Sequence, residues 1–425
     1  MTRVPMKGTV MVMSTSSPAG QTTAGTAPAR RHGAGFWLIA ATFLTAMAFS
    51  TVPAPLYPLY QARDGFSSFT VTIVFATYAV GVAASLLLAG HVSDWMGRRR
   101  VLIPALGLET LAAVLFLAWP ALPGLILARL VTGLGVGMIT ATATAHLHEL
   151  HAASRPGRGP GRFEAVSTAA NVGGLGVGTL IAGFLAQFVG WPLRTPYLVF
   201  IALLLLGIIA VSLTPETVEP PLPRPRYRPQ RVSMNHGDRA GYLVAAASVC
   251  SAFAIFGVFT SLAPGFVAGT LHHPSRLLAG VVAFLVFGAA ALTQTATGRL
   301  SLMARFGLGL LSEAAGLVVL AAGMREASLA AFLAGGVLSG AGAGVLFKSG
   351  VGRVAAMAAP AVRGEALAGL FLIAYVGLIV PTVGLGVATQ YVSATTAMLW
   401  FTGALLVVLA ITGLAGSRRG DDARG

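Results

Sequence analysis

Arg129, Glu109 and Glu313 are ionisable side chains set inside long apolar runs, and they have the clearest capacity for chemistry in this chain. An ionised group deep in a bilayer is costly, so it normally faces protein or a wet cavity and finds a partner there. Arg129 lies about seven residues into its run, roughly 10 Å deep at 1.5 Å per residue. Its guanidinium could receive an anion, take part in proton coupling, or snorkel outward and pin helices together. Glu109 lies about ten residues from the same end of the preceding run, roughly 15 Å deep, within side-chain reach of Arg129, so the two could pair. Glu109 and Glu313 read equally well as proton carriers or as carboxyls packed against neighbouring helices. Burial favours the neutral form of a carboxyl, a property that suits a proton carrier without proving one.

A second concentration of charge is the segment GHVSDWMGRRR, Gly90 to Arg100, between two apolar runs. Gly90 and Gly97 permit a sharp turn, Asp94 supplies one carboxylate, and Arg98, Arg99 and Arg100 hold the turn on the cytoplasmic side. His146, His148 and His151 tempt a metal reading, but His148 and His151 are three apart, where HExxH needs four to place two ligands. They fit better as polar residues at a helix end. No GxxxxGK[ST] phosphate loop occurs, which leaves direct ATP coupling unsupported, and no cofactor is implied.

The elements that position these residues follow from composition. Hydrophobic residues make up 56% of the chain and charged ones only 10%, with a mean hydropathy of +0.80. This is an integral membrane protein. Peptide groups in lipid must be satisfied internally, so runs of about 20 apolar residues are helices unless they close a barrel, and these runs lack the alternation of barrel strands. The net charge of +15 comes from basic residues in short connectors, which reads as topology and not as nucleic-acid binding. The single cysteine, Cys250, excludes a disulfide framework.

Twelve runs are placed near 36–59, 69–90, 101–119, 121–145, 165–188, 195–213, 241–268, 277–297, 306–324, 328–347, 366–388 and 394–415. The expected organisation is a disordered cytoplasmic tail over 1–33, a six-helix bundle over 34–213, a cytoplasmic linker over 214–240, a second bundle over 241–415 and a tail over 416–425. With both termini cytoplasmic, inner segments hold 23 of the 28 basic residues and outer loops hold four, Arg63, Arg194, Arg276 and Arg325. The opposite orientation inverts that bias.

The two sets of six carry traces of duplication. Glu109 matches Glu313 and Asn171-Val172-Gly173 matches Tyr375-Val376-Gly377 at an offset of 204, while Gly133, Gly135 and Gly137 match Gly340, Gly342 and Gly344 at 207. Parallel repeats of this kind place substrate near the midplane between halves.

With these features the chain resembles the major facilitator superfamily along nearly its whole length. The loop resembles the superfamily's motif of Gly, three residues, Asp, two residues, Gly and basic residues, filled by Gly90, Asp94, Gly97, Arg98, Arg99 and Arg100. The resemblance implies a latch between the halves. In that role Asp94 faces the positive start of helix 11 near Glu365 to Ala368; the alternative is a hairpin clamp with no switching role. RLVTGLGVG, from Arg129, resembles the superfamily's helix 4 motif, linked with proton coupling in exporters. Helix 5 departs from the antiporter pattern, with Gly178-Thr179 where Gly-Pro stands and Gly183 following, so Pro381 of helix 11 is the candidate flexing point beside Gly178 and Gly183.

By the same resemblance helices 1, 2, 4, 5, 7, 8, 10 and 11 line a cavity, with Arg129, Asn171, Gln294, Thr293, Tyr78 and Tyr375 as its polar groups. Those helices have no Asp or Glu in their membrane portions beyond Asp94 and Glu149 near the ends, which disfavours organic cations. The expectation is a secondary transporter of the bacterial inner membrane, acting as a monomer by alternating access. Its leading activity is proton-coupled efflux of a small hydrophobic, neutral or anionic compound. Import of a neutral metabolite is the alternative, and a polytopic membrane enzyme is a more distant one.

Overall fold

A computed structural model describes residues 26–219, 227–232, 238–359 and 362–422. The expected tail up to residue 25, the proline-rich stretch of the linker from 220 to 226 and the last three residues lie outside the described residues. Among the described residues, twelve helices are long and apolar enough to cross a membrane: α1 (Ala29–Asp64), α2 (Ser68–Ala89), α3 (Arg98–Ala118), α4 (Leu122–Ser154), α5 (Gly161–Phe188), α6 (Thr195–Leu213), α7 (Arg239–Ser261), α8 (Arg276–Arg299), α9 (Leu302–Arg325), α10 (Leu329–Met357), α11 (Arg363–Ala388) and α12 (Ala394–Ser417). The protein is an all-α polytopic membrane protein.

Helix ends differ from the hydropathy runs where polar residues continue a helix. Regular helix begins at Thr26, so part of the expected tail is ordered, and the last helix runs on to Asp422. Hydropathy marks the membrane, but the helix ladder has no reason to stop there. α4 likewise continues past the expected 145 to Ser154, carrying the histidines with it. α1 is interrupted where Pro53 and Pro55 remove donors, giving a tight turn over Ala54–Leu56 before a short helix at Tyr57–Asp64.

In the first half α4 packs against α1, α2 and α3; in the second, α10 packs against α7, α8 and α9. The halves meet mainly along α5 with α8 and α2 with α11. Large apolar side chains such as Leu206, Leu311, Val318, Trp400 and Ile411 are exposed on α6, α9 and α12, as suits faces turned to lipid. Since lipid is as apolar as leucine, helices associate through close approach and hydrogen bonds, and small residues mark their contacts.

The duplication is visible in these contacts. A Cβ at Gly133 would strike α2 and one at Gly340 would strike the Val286 carbonyl of α8 at 2.6 Å. Gly135 faces Glu109 of α3 with Oε1 at 2.8 Å from that position, and Gly342 faces Glu313 of α9 with its Cα at 2.6 Å. Ser85 Oγ donates to the Leu134 carbonyl at 2.7 Å, joining α2 to α4, and Thr293 Oγ1 donates to the Ala341 carbonyl at 3.0 Å, joining α8 to α10. The offsets of this clasp, 208 and 207, agree with the glycine repeat's 207 to within one residue.

Candidate functional site

A cavity of about 100 Å³ lies between the halves. From the first half come Ser50, Thr51, Tyr78, Arg129, Thr140 and Asn171; facing them stand Phe253, Phe256, Phe287, Phe347, Phe371 and Tyr375. One wall is polar and cationic, and the other is aromatic. No Asp, Glu or His is among the lining residues.

Arg129 is 1% exposed. Its Nη1 donates to the Ser50 carbonyl of α1 at 2.6 Å. The guanidinium carbon lies 4.6 Å from the Tyr78 ring centroid and 5.6 Å from that of Phe75. Nε has no partner. The expected pairing with Glu109 does not form: ion pairs among the described residues are Arg63–Asp64, Arg98–Asp94, Arg98–Glu149 and Lys348–Glu164. Glu109 approaches α4 at Gly135 and turns to the α3–α4 contact, while Arg129 turns to α1 and α2. The outcome is a buried cation with a ring face and a carbonyl for company, able to donate further hydrogen bonds to a ligand.

Asn171 sits in a π-helical turn, Ala169–Gly173, that interrupts α5. Such turns displace the ladder by one residue and often occur at functional sites. Tyr375, its repeat partner, lines the opposite wall, with its ring 5.4 Å from that of Phe253, edge to face.

Other sequence candidates lie elsewhere. Gln294 is buried and does not line the cavity; its backbone carbonyl accepts from Lys348 Nζ at 2.9 Å. Thr293 is occupied by the α8–α10 clasp. Glu109 and Glu313 are fully buried at the α3–α4 and α9–α10 contacts, outside the cavity lining. Among the described residues no donor reaches their carboxyl oxygens, and the Ser251 hydroxyl near Glu313 gives its proton to the Ser248 carbonyl. Gly178 and Gly183 are points of close approach: a Cβ at Gly178 would meet Thr51 Oγ1 at 2.6 Å and one at Gly183 the Arg276 carbonyl at 2.7 Å. The irregularity of α5 is the π turn instead. α11 continues through Pro381, which withholds one donor from its ladder.

The loop from Gly90 to Arg100 is built differently from the expected latch. Gly97 has φ 105°, in the region that favours glycine, whereas Gly90 has an ordinary helical φ of −58°. Asp94 is exposed and pairs with Arg98 Nη1 at 2.6 Å. Arg98 is buried and also holds Glu149 at 2.7 Å. His91 and Trp95, not Asp94, share a cavity with Glu365 of α11. Arg99 Nη2 reaches the Ser212 carbonyl at 2.5 Å, and Arg100 is exposed.

The partner that sequence reading missed is Glu216, at the start of the linker. Its carboxylate accepts from the backbone N–H groups of Arg98 at 2.9 Å and Arg99 at 3.0 Å, capping α3 from a distant segment. Thr217 Oγ1 donates to Glu149 Oε2 at 2.5 Å, tying the linker to α4. We expect stability to fall in the order Arg98→Ala, then Glu216→Ala, then Asp94→Asn. Arg98 makes charged hydrogen bonds, each typically about 1.5–3 kcal/mol, the cap is typically about 1 kcal/mol, and Asp94 is mostly in water. Thermal unfolding in detergent gives the order; equal midpoints for Asp94→Asn and Arg98→Ala would contradict it.

The face opposite the arginine-rich loops is closed between the halves. Arg276, first residue of α8, binds the end of α5 through its N–H to Gln187 Oε1 at 3.0 Å and its Nη1 to the Ala186 carbonyl at 2.9 Å. Thr179 Oγ1 donates to the Gly280 carbonyl at 3.0 Å, and a Cβ at Gly183 would stand 3.1 Å from Gly280 Cα. On the arginine-rich side, a Cβ at Gly173 would be 4.0 Å from that of Ala291, and Lys348 reaches Glu164 at 3.8 Å.

The sequence model of the Major Facilitator Superfamily matches residues 38–307. Among curated proteins, an uncharacterised MFS-type transporter of Mycobacterium tuberculosis is 29% identical over 168 residues, 40% of this chain and 28% of that protein. A puromycin resistance protein of Streptomyces alboniger is 30% identical over 164 residues, 39% of this chain and 32% of that protein. A cephamycin export protein of Amycolatopsis lactamdurans is 29% identical over 177 residues, 39% of this chain and 35% of that protein. The chain thus spans between 25% and 35% of the length of the curated relatives it matches. The crystal structure of the human organic anion transporter MFSD10 is similar in fold, with a TM-score of 0.65 at 16% identity over 91% of this chain and 99% of that one.

Proposed function

The chain belongs to the major facilitator superfamily, and from that premise we propose that it exports a small amphipathic compound, neutral or anionic, by alternating access coupled to protons. The observation that carries this reading is the cavity with Arg129, Tyr78 and Asn171 on one wall, phenylalanines on the other and no carboxylate among its lining residues. An apolar ring would rest on the phenylalanines while a carboxylate or carbonyl oxygen accepts from Arg129. An organic cation would face an unneutralised guanidinium. A volume near 100 Å³ is below the roughly 300 Å³ at which ligand pockets usually begin, so rocking of the six-helix halves must enlarge the cavity.

The two relatives named for puromycin resistance and cephamycin export favour the outward direction. Arginine bias supports a cytoplasmic Gly90–Arg100 loop and cytoplasmic termini, and the reading assigns the chain to the inner membrane of a bacterial cell, working as a monomer. Coupling rests on Glu109 and Glu313, buried carboxyls without donors at equivalent places in the two halves.

The test uses the full chain in proteoliposomes of known orientation, loaded with aromatic carboxylates and their neutral amides. An imposed proton gradient should drive the accepted compounds toward the lumen that corresponds to the cell exterior. Movement the other way identifies an importer. With Glu109→Gln and Glu313→Gln combined, we expect gradient-driven accumulation to be lost while downhill exchange continues. If the double variant accumulates substrate normally, the glutamates are structural.

A further inference from the structure

Three arginines converge at the arginine-rich face around a cavity unrelated to the central one. Arg30 comes from the start of α1, Arg155 from the residue after α4 and Arg162 from the start of α5; Phe36, Trp37 and Ser154 complete the walls that matter here. The cavity measures about 530 Å³. Among the described residues no acidic one lines it, and none of the three arginines belongs to an ion pair. Arg162 instead lays its guanidinium over two rings, 5.0 Å from the Trp37 centroid and 5.6 Å from that of Phe36.

Three positive charges held together repel one another unless an anion is shared between them. The rings hold Arg162 in place without neutralising it, so its donors stay available. Trp37 is 53% exposed at the same level, and an indole half out of the protein at the start of an apolar run marks the depth where headgroups meet acyl chains. We propose that this cavity binds the phosphate of an anionic phospholipid headgroup, with Arg30, Arg155 and Arg162 as its donors and Trp37 against the glycerol and first acyl carbons. A phosphodiester offers several acceptor oxygens, and guanidinium groups match it by charge and by geometry. The bound lipid bridges α1, α4 and α5, which otherwise carry like charges at one corner of the first half. The site is independent of the transport reading, since no residue of the central cavity takes part.

The experiment compares purified full-length protein in a neutral detergent, titrated with phosphatidylglycerol, phosphatidylcholine or inorganic phosphate, by thermal unfolding and by native mass spectrometry. A ligand that binds only the folded protein raises its unfolding temperature. Phosphatidylglycerol should do so saturably and remain bound in the spectrometer, while phosphatidylcholine does neither. Changing Arg30, Arg155 and Arg162 together to Gln should weaken that response on the order of tenfold or more, given the usual gain from each basic residue near an anionic surface. A control with Arg299, Arg305 and Arg363 changed to Gln loses the same charge and keeps the response. Should the triple variant not fold, the exposed Arg30→Gln and Arg155→Gln variants carry the test singly. Unchanged lipid binding in the arginine variants would overturn the proposal. So would an equal response to inorganic phosphate, which marks a free-anion site, or to phosphatidylcholine.

Discussion

Replacing Arg129 by methionine should abolish transport and leave the protein as stable as before, or more so. The side chain is 1% exposed, has no carboxylate partner among the described residues and leaves Nε unsatisfied. Its compensation is one carbonyl at 2.6 Å and the face of Tyr78. A buried charge so sparsely paired is a burden on the folded state, and apolar replacements of buried charges are often neutral or stabilising. Removing a charged hydrogen-bond donor from a ligand typically costs about 2–5 kcal/mol, which is roughly thirtyfold or more in affinity. Arg129→Lys keeps the charge and loses the planar fork and the flat contact with Tyr78, so it should recover only part of the activity. Substrate uptake into proteoliposomes and thermal unfolding in detergent separate the possibilities. Were Arg129 only a pin between α4 and α1, methionine would lower the unfolding temperature while surviving protein still transported.

The second large effect is expected from Gly280→Val, at the face away from the arginine-rich loops. A Cβ there collides with the Thr179 backbone carbonyl, and Gly183 Cα would stand 3.2 Å away, so α5 and α8 could no longer close on one another. Closure of this face is half of an alternating cycle, and the variant should lose turnover while retaining ligand binding. Distances between spin labels at Phe188 and His273, in a Cys250→Ser background, should lengthen and lose their response to substrate. Gly183→Ala, whose Cβ meets the Arg276 carbonyl at 2.7 Å, should show the same defect in milder form. Normal turnover in Gly280→Val would show that this contact is not part of the cycle.

Some of the candidate site was legible in one dimension because desolvation singles out certain residues wherever they stand. Arg129 declares itself by charge within an apolar run, and the 204-residue repeat relates Asn171 to Tyr375, which line opposite walls. The phenylalanines carried no such mark. The chain has 22, and facing lipid or facing a cavity satisfies an aromatic ring equally well, so hydropathy cannot tell Phe253 from Phe188. One signal was available: Phe253 and Phe256 are three apart on α7, hence on one face. Gln294 and Thr293 misled for the converse reason. A polar residue in a membrane helix can be satisfied by the next helix as well as by a ligand, as the Ala341 carbonyl does for Thr293.

The glycines divide in the same way. Their triplets at 133–137 and 340–344 pointed to a repeat, but only the assembled bundle reveals that alternate members serve different neighbours, with Gly135 and Gly342 receiving the helices that carry Glu109 and Glu313. The Gly90–Arg100 loop was recognisable as a motif, yet Glu216, which caps α3, is more than a hundred residues from it and carries no local signature.

Sequence alone determined that this is a membrane protein of twelve helices with its arginines gathered on one side. The cost of unsatisfied peptide groups and of charge in hydrocarbon is paid locally, residue by residue, and so is written in composition and spacing. Only the tertiary structure decided that Arg129 meets a carbonyl and a ring instead of Glu109, that the glutamates lie outside the cavity lining, and that five phenylalanines form the opposite wall. Those outcomes depend on which face each helix turns to its neighbours, and that rotation is set by close packing among segments far apart in the chain.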